Sequence, residues 1–594
     1  MLDWELVTAS RRDLIAIVVL AAACIAVFAR VIDHGFLTWD DGAFLLDNRW
    51  ISHPSLENLA AIWSRPILHL YAPLTYTLWS LQSALFGPSA QVFHATNVLL
   101  HLASCWIVYV LLSRLLREYQ GYAPLAGALF FGLHPVQVET VAWASETKDL
   151  LYTLLSLAAM TLYLRYVDGV SVRQAALEEL QSEGKKRLKS REEIRIASVL
   201  RAAYRDYALA SGLFILALLA KPAALVVPLQ LVALNRWALG RSWSRSLEGL
   251  VPWLSAAAIF ALITSALQPA GEQLTFVPDI WLRPLIAADT VGFYLSRLFL
   301  PWTVAPDYGR TPQLLISTGA LRFTWIAALV LLAACVLFRK KAPLVPCGAA
   351  LFVIGFLPVS GLVSFDYQQY STVADHYLYL PMLGAALLFA WAFTRAGTLR
   401  LAFFPLLVVL GVLSFHLSSY WKDNATFFAR ALARNPTSLM AHNSLGQLAD
   451  EQGKNEEALA RYQAAMKIDP AYLRSQLGVA NALFKLGRHD AAIQQCRTAL
   501  AEATEPQAKT TTAGKLHNVL GAALVKKNQP NEGMTEFGRA IETDPHETSS
   551  YFNLGSVLLA SGKVSQAIEV FEKGLAANPG APDLLARLRE AKAP

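Results

Sequence analysis

Charge is scarce in this chain. Only 16% of its 594 residues are charged, against about 25% in a soluble domain, which excludes a single water-soluble fold. The scarcity is uneven. Fifty-seven charged residues lie in 1–420 and 38 in the much shorter stretch 421–594, and sixteen of the 57 fall within 168–206. Cysteine is also sparse. None of Cys24, Cys105, Cys335, Cys347 and Cys496 has CxxC spacing and four sit in apolar runs, so spacing indicates neither a disulfide framework nor a zinc site. There is no HExxH and no GxSxG on a suitable helix, which argues against a protease. No interleaved basic and aromatic patch points to nucleic acid. No small-x-small cleavage site follows the first apolar run before Asp33-His34, so that run is not expected to be a removed signal peptide.

What the chain has is apolar length. A bilayer core needs about 20 apolar residues per helix, and eleven stretches qualify: 13–32, 92–113, 122–138, 149–167, 206–220, 222–238, 249–268, 320–338, 343–363, 378–394 and 400–418. Lys221-Pro222 makes 206–238 either one broken helix or two short ones. With the N-terminus in the cytoplasm, Arg114/Arg117, the basic residues of 168–205, Arg236/Arg241/Arg245, Arg339/Lys340/Lys341 and Arg395/Arg400 all fall on one side, as the positive-inside rule requires. The other side receives 33–91, 139–148, 269–319, 364–377 and everything after 420. Residues 67–86 and 284–300 read as amphipathic helices lying flat at the outer interface, since making either one span would break the charge parity.

The region after 420 repeats every 34 residues: Pro436/Pro470, Gly453/Gly487, Gly521/Gly555, Asn528/Gly562 and Pro545/Pro579. This is the tetratricopeptide pattern, with small residues where paired helices cross and Pro ending the second helix. Four repeats are expected, with a seven-residue insertion around Glu505–Thr512, a preceding helix over 416–434 and a charged tail helix. The fold class is therefore all-α: a polytopic bundle of about eleven spans over 1–420 (first external loop 33–91, cytoplasmic insert 168–205), then an α-solenoid over 421–594. Such a solenoid's concave groove usually binds peptide.

Ionisable residues in or beside a membrane are costly and so mark function. The external side collects them in three places. The first loop reads DHGFLTWDD, placing Trp39 beside Asp40-Asp41. Adjacent carboxylates above a membrane helix serve a general base, a divalent cation or both; an exposed acidic turn or helix cap is the plainer alternative. The second place is HPVQVETVAWASETKD from His134 to Asp149, where Glu139, Trp143 and Glu146 would share one face of a helix, capping and Trp anchoring being the alternative. The third is ADHYLYLP around Asp375, His376 and Tyr377, which an aromatic belt would also explain. Lys221 and Arg297 near the outer interface would pair with phosphate, or simply snorkel.

Together WDDGAFLLDNRWI, HPVQVETVAWASETKDLL, DHYLYLPMLG and the repeat array resemble the transmembrane and tetratricopeptide repeat-containing proteins, grouped with the protein O-mannosyltransferases in the GT-C class of membrane glycosyltransferases. The resemblance covers essentially the whole chain. It implies that Asp40 is the general base toward an acceptor hydroxyl, and that Asp41 supports the acceptor or a cation, magnesium or manganese. It further implies that Trp39, His134, Glu139, Glu146, Asp375 and Tyr377 wall the site. The implied donor is a polyprenyl-phosphate sugar, mannose if the resemblance extends to the sugar, with Lys221, Arg297 or His376 neutralising its phosphate. The implied acceptor is an exported polypeptide recruited through the repeat groove. The composition favours a bacterial inner membrane with periplasmic repeats; in a eukaryotic cell the counterpart is the endoplasmic reticulum with luminal repeats. Two other functions fit the same features: a non-catalytic membrane scaffold for envelope assembly, and a transferase or ligase acting on lipid-linked polysaccharide.

Overall fold

The computed structural model describes residues 11–119, 121–182, 190–267, 276–504 and 510–593. Residues 183–189 of the expected cytoplasmic insert, 269–275 of the expected external segment and 505–509 of the repeat insertion lie outside these. Among the described residues there is no strand, only an isolated bridge between Ile67 and Leu70. The fold divides into two compact units, Met1–Phe427 and Phe428–Pro594.

In the first unit six helices are long and apolar enough to cross a membrane: Arg11–Asp33, Ala90–Leu115, Ala144–Glu178, Glu192–Ala220, Ala320–Phe338 and Gly397–Trp421. A pair bent by 50°, Ala123–Leu133 and Pro135–Ala142, adds a seventh. Val251–Leu267, Leu344–Gly355 and Met382–Arg395 are apolar but shorter, and 222–238 is a chain of short pieces, Pro222–Val226, Val227–Ala233 and Leu234–Ala238. The expected count of eleven treats every one of these as a span.

The bends have sequence causes. Pro135 removes an amide donor and forces His134 into an extended conformation, so the helix stops at Leu133. Pro222 does the same to Lys221, whose extended backbone follows the end of the Ser190–Ala220 helix. Every residue from Ala123 to Leu150 is buried, so this broken stretch is the centre of the bundle. The helix Thr147–Ser182 has 36 residues, about 54 Å at 1.5 Å per residue. It therefore overruns a hydrocarbon core of about 30 Å, and the charged insert 168–205 is helical where it is described. The first loop has its own small core, in which Phe44, Ile51 and Ile62 pack on Tyr76 and Trp79 of the helix Pro73–Phe86.

Leu344–Gly355 and Met382–Arg395 approach through glycine. A Cβ on Gly384 would lie 2.2 Å from the Gly348 carbonyl oxygen and 2.6 Å from the Phe352 nitrogen. Backbone cannot yield as a side-chain tip can, and small residues are what let membrane helices approach this closely. Gly384→Ala is expected to cost about 1–3 kcal/mol by overpacking, measured as a lower thermal unfolding midpoint in detergent; an unchanged midpoint would show that these helices part freely.

The second unit is a run of helix pairs: Leu439–Glu451 with Asn455–Ile468, Leu473–Lys485 with His489–Glu502, Thr511–Lys526 with Pro530–Thr543, and Thr548–Ala560 with Val564–Ala577, closed by Pro582–Lys592. Aromatic rings fill the small-residue crossings. A Cβ on Gly478 would meet Tyr462 at 2.4 Å, and one on Gly555 would meet Phe571 at 2.3 Å. The turn within each helix pair carries one left-handed residue, Gly453, Gly487, Asn528 or Gly562. That is why the third repeat tolerates Asn there and nothing bulkier.

Candidate active site

The broken centre of the bundle gathers the charged segments. Thr147–Ser182 opens with Lys148 and Asp149 in its first turn, and Glu146 ends the short turn Ala144–Glu146 just before it. The expected single helical face through Glu139, Trp143 and Glu146 does not form. The helix Val138–Ala142 ends at Trp143, whose backbone is extended. Glu139 and Glu146 nevertheless both turn into the same interior.

The two adjacent acids of the first loop do different things. Asp41 is fully buried. Its Oδ2 accepts the Leu37 amide at 2.8 Å and its Oδ1 the Ser145 amide at 2.9 Å, so it clamps the first loop to the central elbow. Burial raises its pKa to about 7, and the two amide bonds resist the rise. Asp40 keeps 36% of its side-chain surface exposed yet is ringed by protein. Desolvation raises its pKa, while Lys148 pulls it back and Glu146 pushes it up. It is thus a partly exposed carboxylate of higher basicity than one in bulk water.

Beside it lies a web of buried ion pairs. Lys148 Nζ lies 2.9 Å from Glu146 and 3.9 Å from Asp40, over the rings of Phe44 (5.0 Å) and Trp143 (5.6 Å). Lys221 donates to Asp149 across the Pro222 break. His376 Nδ1 is 2.5 Å from Glu139, and its ring meets Trp143 edge-on at 6.0 Å. Burial lowers the His376 pKa to about 3, with Glu146 opposing, so this imidazole is neutral at physiological pH. Asp375 accepts from the Tyr308 hydroxyl at 2.9 Å. Burial raises its pKa to about 7, while Tyr308 and Arg297 hold it back.

Arg297 itself donates to the Thr303 carbonyl at 3.0 Å and stacks on Phe293 at 4.5 Å. Around it Arg310 pairs with Asp289 through two bonds, of 2.9 and 2.5 Å.

The structure therefore brings Asp40, Asp41, Glu139, Glu146, Lys221, Asp375 and His376 into one neighbourhood, with Tyr377 against His376 at 4.3 Å and Arg297 linked through Tyr308. Two expected wall residues stand apart. His134 caps the turn after it and reaches the Leu298 carbonyl at 3.3 Å. Trp39 packs edge-on against Phe427 at 5.6 Å. Sequence reading did not single out Lys148, Asp149 or Tyr308 as site residues. For the first two, the available signal was charge at the head of an apolar run.

Both oxygens of Asp41 are bound by main-chain amides, and an ammonium already stands between Asp40 and Glu146. The last span leaves the bundle beside the first loop: the Gly35 amide donates to the Lys422 carbonyl at 3.0 Å, and the Thr38 amide to Asn424 Oδ1 at 2.8 Å.

A sequence profile described as tetratricopeptide repeat matches residues 425–472, 449–514 and 518–582. Over most of its length the chain is homologous to proteins named protein O-mannosyl-transferase. Tmtc3 of Drosophila melanogaster is 25% identical over 92% of this chain and 66% of its own. F38B6.6 of Caenorhabditis elegans is 22% identical over 74% and 60%, and human TMTC4 is 25% identical over 75% and 65%. The chain thus spans 60–66% of the length of these three relatives. The solved structure of YrrB, described as a TPR protein with an unusual peptide-binding site, is 24% identical and covers 28% of this chain and 81% of its own, with a TM-score of 0.22.

Proposed function

We propose, from homologues that carry the name protein O-mannosyl-transferase along most of this multi-pass chain, that it is a GT-C membrane glycosyltransferase. It moves a sugar, mannose by that likeness, from a polyprenyl-phosphate carrier to Ser/Thr hydroxyls of exported proteins. The observation that supports this most is Asp40: a partly exposed carboxylate of raised basicity with the buried Lys148 ammonium 3.9 Å away.

In this reading Asp40 takes the proton of the acceptor hydroxyl as it attacks the anomeric carbon from the face opposite the carrier. The sugar–phosphate bond breaks and the configuration inverts. The departing phosphate gains negative charge, which Lys221 and Arg297 meet in this reading. His376, neutral and bound to Glu139, positions the wall instead of supplying charge, and Asp41 acts only through the loop it clamps. Lys148 takes the place a divalent cation would occupy beside Asp40.

The reading is tested by mass spectrometry of exported proteins from cells with and without this protein. Ser/Thr-linked hexose is expected only where the protein is present. Identical glycan profiles at normal expression would favour the scaffold reading, and a change confined to polysaccharide would favour the lipid-linked glycan reading.

The repeats recruit the acceptor and lie outside the cytoplasm, in the periplasm if the host is bacterial. Deleting 435–594 is therefore expected to abolish modification of whole proteins while preserving transfer to a short free peptide, assayed in detergent with a synthetic donor. Loss of both activities at good expression would assign the repeats to the chemical step.

A further inference from the structure

Three soft donors that this transfer does not use meet inside the bundle. Cys24 comes from the helix Arg11–Phe28; His101 and Cys105 lie one turn apart on Ala90–Leu115. Their sulfurs are 3.9 Å apart, and Cys105 Sγ is 3.7 Å from His101 Nε2. All three donor atoms lie within 4.8 Å of one another, and all three residues are fully buried. With metal–sulfur bonds of about 2.3 Å and metal–nitrogen bonds of about 2.0–2.1 Å, tetrahedral ligands stand about 3.5–3.8 Å apart. The cluster already has close to that spacing.

A third helix closes the pocket with its main chain. A Cβ on Gly132 would lie 2.7 Å from Cys105 Sγ and 3.1 Å from Cys24 Sγ, so only glycine fits. The Gly132 carbonyl oxygen has also lost its helical donors. Pro135 has no amide hydrogen, and the Val136 amide turns to His134 Nδ1 instead. That oxygen lies 3.0 Å from His101 Nε2, where it can act as a fourth ligand. The other ring nitrogen, Nδ1, is 2.8 Å from the Tyr379 hydroxyl, the outer partner that fixes a metal-binding imidazole with its proton on the far side.

We propose that Cys24, His101, Cys105 and the Gly132 carbonyl form a structural site for a divalent thiophilic cation, zinc in type, that pins three helices together. Binding releases the two thiol protons. Two thiolates with a divalent ion are neutral, as an apolar interior demands, whereas a monovalent copper ion would leave one uncompensated negative charge there. The site has no exchangeable position facing solvent, so its role is cohesion.

The test uses the full chain purified in detergent under reducing conditions. Metal analysis should find zinc at about one per chain, and cobalt exchanged into the protein should give thiolate-to-cobalt charge-transfer absorption. Cys24→Ser and Cys105→Ser should abolish the band, whereas Cys347→Ser should leave it intact. Cys24→His keeps a ligand and should shift the band without removing it, which separates lost ligation from lost folding. No zinc and no cobalt band in wild-type protein supplied with either metal would overturn the proposal. So would a Cys24–Cys105 disulfide in protein isolated without reductant, or a band that survives removal of both cysteines.

Discussion

Asp40→Asn is expected to lower the turnover of sugar transfer by about 10²–10⁴-fold, the usual contribution of a positioned general base. KM for the acceptor, membrane insertion and thermal stability should stay near wild type. Asn preserves the shape and removes the charge, and the nearest cation, Lys148, is 3.9 Å away, too far for its loss to unsettle the fold. The neighbouring substitution separates the pair. Asn at 41 retains one acceptor but turns an amide hydrogen toward either the Leu37 or the Ser145 N–H, so Asp41→Asn should lose stability before it loses chemistry. Because Asp40 is raised above the ordinary aspartate range, activity should climb with pH as Asp40 deprotonates, with its acid limb displaced upward from that of a free aspartate at about 3.9. Near-normal transfer by Asp40→Asn would remove the general-base assignment and favour the scaffold. A change in KM alone would make Asp40 a binding residue.

The largest effect on folding is expected from Lys148→Met. This ammonium sits 2.9 Å from a fully buried Glu146 and 3.9 Å from Asp40. Breaking a buried pair by removing one partner typically costs about 3–5 kcal/mol, because the remaining charge is stranded in low dielectric. Thermal unfolding in detergent followed by size-exclusion should show a steep loss of monodisperse protein. The double substitution Glu146→Gln/Lys148→Met removes both charges and should recover most of the stability without recovering transfer. That non-additivity is the signature of a direct pair. A single Lys148→Met protein as stable as wild type would mean the pair is not made in the membrane.

Much of this architecture is legible in the residues alone. Most stretches read as spans fall on apolar helices, because length and apolarity are local properties, but 222–238 is a chain of short pieces. The 34-residue period likewise gives the helix pairs, down to the left-handed turn position shared by Gly487 and Asn528. The site was legible as a set of costly charges, and Asp40, Glu139, Glu146, Asp375 and His376 do share one neighbourhood. What stayed hidden depends on chain crossings. That Asp41 is a clamp depends on an amide 104 positions away. The face expected through Glu139, Trp143 and Glu146 fails because the backbone extends at Trp143. Tyr308 and Asp375 come from different segments, as do Cys24 and His101, and no spacing rule reaches across helices.

The hydrogen bonds from Gly35 to Lys422 and from Thr38 to Asn424 carry a practical corollary for anyone dissecting the molecule. The first unit does not finish where hydrophobicity does. A fragment cut at the last apolar residue would strip two fastenings from the strap that carries Asp40, whereas one retaining Asn424 keeps that strap tied down.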